Sequence, residues 1–292
     1  MNPRRAGDPY WMLAPTLALL AVFFFYPLLY AGTTSLFEWD LLTPPRYVGL
    51  GNYRALWATG EVARALVTTL IYSVVVVAGS MATGLALAVA LDRPGPFAAF
   101  VRGAIFSAYV ISWVSVALLW LWVLDADNGA LSALVRSFGA QPLDWLGDPD
   151  VALYTLAAVT IWKIAGYSMV IFLTGLQDIP PGLYDAAALD GASRWQRFSH
   201  VTWPLLRPTA AFVATTSLIL SFQVFDVVRV MTQGGPVHST TVFVYAIYEQ
   251  VFMNLRVGRA SALTVVFFAM LVVLTIIQLW AWRLGAKQQG AT

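Results

Sequence analysis

The groups best placed to do chemistry in this 292-residue chain stand inside its apolar runs. Lys163 lies in "IWKIAGYSM", and Gln223, Asp226 and Arg229 lie in "SFQVFDVVRV". Where such a run crosses a membrane, a charge near its centre costs at least about 2.5–3.5 kcal/mol, so each one asks for a reason. Two readings stay open for Lys163 and Asp226. They hydrogen-bond a polar solute, or they pair with each other across two helices. Gln223 and Asp226 are three residues apart, so an unbroken helix puts both on one face. Arg229 stands nearer the end of its run and reads as a snorkelling or interfacial charge.

Other chemistries find no such footing. The chain has no cysteine, which excludes disulfides, thiolate nucleophiles and Cys-ligated metal. His200 and His238 stand alone, without a second ligand at metal spacing. Asp125, Asp127, Asp148 and Asp150 fall in loops that do not resemble a twelve-residue calcium loop, and they read as solvated charges. No metal site is therefore expected. No glycine-lysine phosphate loop occurs, so no ATP hydrolysis is expected of this chain.

The elements that must hold these groups follow from composition. Charged residues make up 11% of the chain, against about 25% in ordinary soluble domains. Mean hydropathy is +0.72. So few charges cannot cover a water-facing surface, and the reading is a polytopic, all-α membrane protein. Six stretches are long enough to span, at about 20 residues each. They run roughly over residues 11–36, 66–91, 104–124, 151–176, 210–230 and 260–282. The first follows Arg4 and Arg5 but has no early small-residue cleavage site, so it reads as a retained span.

An even number of spans puts both termini on one side. With Arg4 and Arg5 inside, that side also holds Arg93, Arg102, Arg194, Arg197, Arg207, Arg283 and Lys287, nine basic residues against seven outside. The positive-inside rule favours this orientation only weakly. The net charge of +2 gives no reason to expect a nucleic-acid partner. Two outside loops, residues 37–63 and 125–150, carry Trp and Tyr suited to a membrane interface. The stretch "TTVFVYAIYEQVF", residues 240–252, is apolar but too short to cross. It either lies in the interface or packs on the bundle.

Residues 177–207 form a loop far longer than a helical hairpin needs. Pro180 and Pro181 suit a helix start, and Asp185 is expected near that start, where it complements the dipole. Gly191 is suited to a left-handed stop, and Ser193 to the cap of a second short helix whose Trp195 and Phe198 share a face. Pro204 and Pro208 then lead into the fifth span. The pattern is a stiff knob with a shallow alanine surface. An interfacial hairpin that merely joins two spans is the plainer alternative.

The stretch "DAAALDGASRWQRFSHVTWP", residues 185–204, resembles the EAA loop of permease subunits in binding-protein-dependent ABC importers. That pattern is E-A-A, three residues, Gly, nine residues, I-x-L-P. Here it reads Asp185-Ala186-Ala187, three residues, Gly191, nine residues, then Val201-Thr202-Trp203-Pro204. The spacing is intact, with Asp for Glu, Val for Ile and Trp for Leu. "GLQDIPPGLYDAAALDGAS" and "TQGGPVHST" are similar to the carbohydrate-importing branch, whose members include the maltose and glycerol-3-phosphate permeases.

The resemblance implies that residues 177–207 form a cytoplasmic coupling helix, with Asp185, Ala186, Ala187, Asp190, Gly191, Arg194 and Pro204 at the ATPase contact. It implies a second, similar permease, two cytoplasmic ATPase subunits that hold ATP and magnesium, and an extracytoplasmic solute-binding protein. It also implies both termini in the cytoplasm and a cell-membrane location among lipid. The cargo of such a branch is a sugar, an oligosaccharide or a glycerol phosphate. On that reading spans three, four and five line a cavity, with Tyr109, Trp113, Lys163, Tyr167, Gln223 and Asp226 as candidates for the solute path. Plain packing is the alternative for each aromatic. Rival classes are a membrane enzyme, which needs convergent catalytic groups at one face, and a secondary transporter, which predicts paired broken helices.

Overall fold

The computed structural model describes residues 8–289, with the backbone alone for residues 8–12, 279 and 281–289. Arg4 and Arg5 lie outside the described residues, as do the side chains of Arg283 and Lys287. In chain order, α1 (Asp8–Leu20) and α2 (Tyr26–Thr34) are joined by a π-helical turn, Ala21–Phe25. A two-residue hairpin, β1 (Phe37–Glu38) with β2 (Arg46–Tyr47), leads to α3 (Gly51–Ala58) and α4 (Glu61–Leu91). Helices α5 (Pro96–Val110), α6 (Trp113–Val123), α7 (Ala130–Ser137) and α8 (Ala152–Gln177) follow. Then come α9 (Pro181–Leu189), α10 (Arg194–Arg197), α11 (Trp203–Phe222), α12 (Asp226–Met231), α13 (Phe243–Tyr248) and α14 (Val257–Gln289).

Among the described residues five helices are long and apolar enough to cross a membrane: Leu13–Thr34, Glu61–Leu91, Ala152–Gln177, Arg194–Phe222 and Val257–Gln278. The pair α5 and α6 makes a sixth crossing if counted as one, but it is bent by 102°. The straight span expected over residues 104–124 is therefore two helices, because Ile111 and Ser112 both leave the helical region. The fifth span expected over residues 210–230 also differs. Its helix ends at Phe222, and α12 starts afresh at Asp226. Neither break contains proline or glycine.

The chain divides into two compact units, residues 64–245 and residues 1–63 with 246–292. In the larger one α8 is the central post. Its Leu156, Val159, Ile164, Met169 and Phe172 are buried, and Met169 and Phe172 share an apolar cluster with Ala88, Leu206 and Val213. Buried hydroxyls join the long helices, as expected where water is absent. Tyr72 bonds Thr160 at 2.6 Å and Ser80 donates to Ser217 at 3.0 Å. Glycines on α8 set close crossings. Gly175 lies against Leu206 and Thr209 of α11, and Gly166 lies against the backbone of Ile105 and Phe106 on α5. Phe243 and Tyr245 are buried, and the Phe243 N–H donates to Thr69 at 2.9 Å. Residues 243–245 thus pack on the bundle rather than lie in the interface.

In the smaller unit the hairpin is tied to the start of α14. Asn52 donates to the carbonyls of Ser35 and Phe37, each at 2.8 Å, and Gly258 N–H reaches Trp39 O at 3.4 Å. The Thr43 N–H and hydroxyl, with the Leu42 N–H, hold the Asp40 carboxyl below the usual carboxylate range.

A Cβ at Gly166 would stand 2.6 Å from Ile105 O and 2.7 Å from Phe106 Cα. Backbone cannot yield as a flexible side chain does. Gly166→Val is expected to destabilise the protein by about 1–3 kcal/mol through overpacking, read as a lower unfolding temperature in detergent. An unchanged temperature would rule out so close a crossing of α5 and α8.

Candidate functional site

The last carbonyls of any helix lack intrahelical partners, and inside a membrane no water replaces them. At the end of α5 that need is met from α8. Lys163 Nζ donates to the carbonyls of Ala108 at 3.1 Å, Tyr109 at 3.2 Å and Ile111 at 2.5 Å. The same nitrogen stands 4.7 Å from the centre of the Trp113 ring, a cation–π distance. An ammonium group has three donors, and three acceptors surround this one. The negative pole of α5 favours a cation at this place. Lys163 is 1% exposed.

The ion pair between Lys163 and Asp226 that the sequence left open is absent. Among the described residues Lys163 forms no salt bridge. Lys163 lines neither cavity at the breaks and stands against Trp113, which lines both.

At the second break α11 closes with Gln223 N–H on Ile219 O at 3.2 Å, Phe225 turns to φ −142°, and Asp226 opens α12. Gln223 and Asp226 therefore flank an interruption instead of sharing a helix face. They nevertheless line one cavity of about 220 Å³, with Trp113, Leu220 and Val224. A cavity of about 560 Å³ adjoins it, lined by Phe106, Tyr109, Ile111, Ser112, Trp113, Leu220 and Asp226. Trp113, Leu220 and Asp226 belong to both. Tyr109 is backed by Tyr167, whose ring stacks on it at 4.9 Å and 22°.

The two breaks thus bring together Tyr109, Trp113, Gln223 and Asp226 and set Lys163 and Tyr167 behind them. Sequence reading missed Ser112, Phe106 and Leu220, which look like ordinary span residues. The arrangement offers an amide, a hydroxyl and a carboxylate beside aromatic faces, which suits hydrogen bonding to a polar solute. Among the described residues no three His, Asp or Glu side chains cluster as metal ligands.

The loop after α8 is a second built feature. Pro181 opens α9, and a Schellman closure ends it, with Gly191 N–H on Ala188 O at 3.1 Å and Ala192 N–H on Ala187 O at 2.9 Å. Gly191 stands at φ +75°, the left-handed region. Ser193 and Gln196 then form a reciprocal capping box. Ala186 and Ala187 lie within α9, Asp190 is its exposed C-cap, and exposed Arg194 opens α10.

Two expectations change here. Asp185 is the fifth residue of α9, beyond the first turn, so it does not offset the dipole as a start residue does. The second short helix is not separate either. It continues through a π-helical turn, Phe198–Thr202, into α11, one helix from Arg194 to Phe222. Pro204 lacks an N–H and would crowd the carbonyl four residues back, and the wider turn accommodates this without ending the helix.

Tyr184, which sequence reading passed over, ties α9 to that helix through its hydroxyl on Thr202 at 3.0 Å. Leu189 and Trp195, either side of Gly191, are 90% and 73% exposed, and the Trp195 ring stacks on Phe198 at 5.7 Å.

Residues 80–283 match the family described as binding-protein-dependent transport system inner membrane component. The chain belongs to that family. Relatives of this inner membrane component cover almost its whole length. A probable ABC transporter permease protein of Pyrococcus horikoshii is 33% identical over 290 residues, 96% of this chain and 98% of that protein. A probable ABC transporter permease protein of Brucella suis biovar 1 is 32% identical over 92% of this chain and 94% of its own. The sn-glycerol-3-phosphate transport system permease protein UgpA of Agrobacterium fabrum is 32% identical over 92% of each chain.

A chain from the crystal structure of a bacterial ABC transporter that imports the acidic polysaccharide alginate superposes with TM-score 0.79 at 25% identity, covering 95% of this chain and 94% of that one. A second alginate transporter structure, in complex with an alginate pentasaccharide-bound periplasmic protein, gives 0.81 at 22% identity over 94% and 96%, a likeness of fold. The inner membrane component is thus an all-α, multi-pass membrane protein of the ABC permease class.

Lys163→Met in this permease would leave three carbonyls unpaired in an apolar setting. The expected loss is about 1.5–3 kcal/mol, the range for hydrogen bonds to a charged group, read by thermal unfolding in detergent. Adding Asp226→Asn should recover none of it. Recovery of most of the loss in the double variant would establish an ion pair after all.

Proposed function

We propose that this chain is one of two permease subunits of an ATP-driven importer that carries a sugar or sugar-like solute into the cytoplasm by alternating access. The observation that carries the reading is the pair of adjoining cavities at two helix breaks, lined by aromatic, amide, hydroxyl and carboxylate groups, in a chain of this permease family. Two relatives support the cargo class, one named for sn-glycerol 3-phosphate and one for alginate. Broken helices also mark secondary transporters, but family membership favours the ATP-driven class. A membrane enzyme has less support, since His200, in the π-helical turn before α11, and His238, in the loop after α12, stand on separate elements.

In the proposed assembly a second, similar permease completes the path and an extracytoplasmic solute-binding protein delivers cargo. Two cytoplasmic ATPase subunits bind ATP and magnesium, and this chain supplies no catalytic group. Six crossings, with α5 and α6 counted as one, would leave both termini on one side, and on this proposal that side is the cytoplasm, with the 177–207 knob beside the ATPases. Asp185, Ala186, Ala187, Asp190, Gly191, Arg194 and Pro204 then make up or support the docking face. Tyr109, Trp113, Gln223 and Asp226 contact solute, with Tyr167 and Lys163 holding the wall.

The test begins with purification, where a second permease and two ATPase chains should accompany this one. A side chain at Gly191 meets no neighbour, so Gly191→Val acts through backbone strain of about 1–2 kcal/mol in the left-handed region. It should leave assembly intact and lower uptake and binding-protein-stimulated ATP hydrolysis by up to about tenfold. Normal rates in that complex would sink the coupling role.

Asp185 is exposed, and no hydrogen bond to its side chain forms among the described residues. Asp185→Ala should therefore lower uptake more than it lowers the amount of protein in the membrane. Equal losses of the two would mean a folding role alone.

A further inference from the structure

The structure assigns the solute path at the two helix breaks to an electrically neutral, polyhydroxylated solute, and against one bearing phosphate or carboxylate. This rests on the import reading proposed above and narrows it. An anion in a cavity of low polarity needs a cation or several N–H donors turned toward it. The most buried cation among the described residues, Lys163, cannot serve. All three donors of the Lys163 ammonium are matched by the carbonyls of Ala108, Tyr109 and Ile111, and Lys163 lines neither cavity. Release of that ammonium to a solute would strip the end of α5 of its partners.

The side chains that do line the cavities point the same way. Asp226 lines both, and among the described residues it is the sole charged group to line either. Like charges repel strongly where water is scarce. The N-terminus of α6 would otherwise invite an anion, but it opens on a cavity that the Asp226 carboxylate also lines, and that fixed negative charge opposes a second one there.

What remains suits sugar hydroxyls. The Asp226 carboxylate accepts two or more O–H donors, the Gln223 amide both donates and accepts, and Ser112 does the same. Tyr109 and Trp113, one backed by Tyr167 and the other by Lys163, add aromatic surface to the same lining, which suits the C–H side of a pyranose. The contrast with the relatives is chemical, since one is named for a phosphate ester and another for an acidic polysaccharide.

The test uses the whole complex, with its second permease, its ATPases and its binding protein, in liposomes that contain ATP. Uptake and ATP hydrolysis are measured for a neutral panel (maltose, trehalose, cellobiose, xylobiose) and an anionic panel (sn-glycerol 3-phosphate, glucose 6-phosphate, alginate trisaccharide) at equal concentrations. At least one neutral solute should be taken up tenfold or more faster than every anionic one. Asp226→Asn should shrink that ratio about tenfold. Uptake of an anionic solute as fast as the best neutral one overturns the inference and leaves the importer reading standing. An unchanged ratio in Asp226→Asn overturns the part given to that carboxylate. Absence of uptake and of stimulated ATP hydrolysis across both panels overturns the import reading itself, and the inference with it.

Discussion

A backbone carbonyl inside a membrane must find a donor within the protein, and that requirement governs the site more than any motif does. A span that breaks in mid-course frees carbonyls at the end of its first half. Here the remedy is one ammonium group, held on α8 and aimed at the end of α5. The burial of a charge and the burial of loose carbonyls are each unfavourable alone, and together they cancel. The bent pair α5 and α6 depends on this contact, and Tyr109 and Trp113 depend on the bend for their place at the cavity.

The close crossings on α8 belong to the same construction. Gly166 lets the backbone of α5 come near enough for Lys163, one turn earlier, to reach past it. Tyr167, next to that glycine, supports Tyr109 from behind. One helix thus supplies the crossing, the cation and the aromatic backing of the wall. The aromatic–amide–carboxylate lining sits on two other elements, each interrupted where it meets the cavity.

Much of this was legible in the chain and some was not. Five spans could be read from apolar length, because about 30 Å of hydrocarbon sets a fixed minimum. The knob was legible too. Paired prolines, a glycine and a serine three residues before a glutamine carry local backbone rules that hold wherever they occur. The helix breaks were not legible, since "VISW" and "FQVFD" contain no residue that forbids a helix. The first is answered by the Lys163 ammonium, more than fifty residues away, and what that ammonium meets is main-chain carbonyls, which every residue possesses alike. For the same reason Lys163 suggested an acidic partner: side-chain charges can be seen in a sequence, whereas carbonyls left free by a break cannot. Gln223 and Asp226 line one cavity by flanking a gap, not by sharing a helix face.

The unbroken helix from Arg194 to Phe222 has a mechanical meaning. It leans on α8 near its middle, where Gly175 lets Leu206 and Thr209 come close. At about 1.5 Å per residue, roughly 20 Å of rod extends to each side of that bearing. One arm ends beside Ser193 at the knob, the other beside Gln223 at the cavity. A rocking beam with a central fulcrum moves its two ends by equal amounts in opposite directions. A tilt of about 10° would carry each end by about 3–4 Å over arms of that length, about the width of a hydrogen-bonded contact. On the docking role proposed above, pressure on the knob in one sense would open the wall at Gln223 and pressure in the other would close it, with neither gain nor loss in stroke.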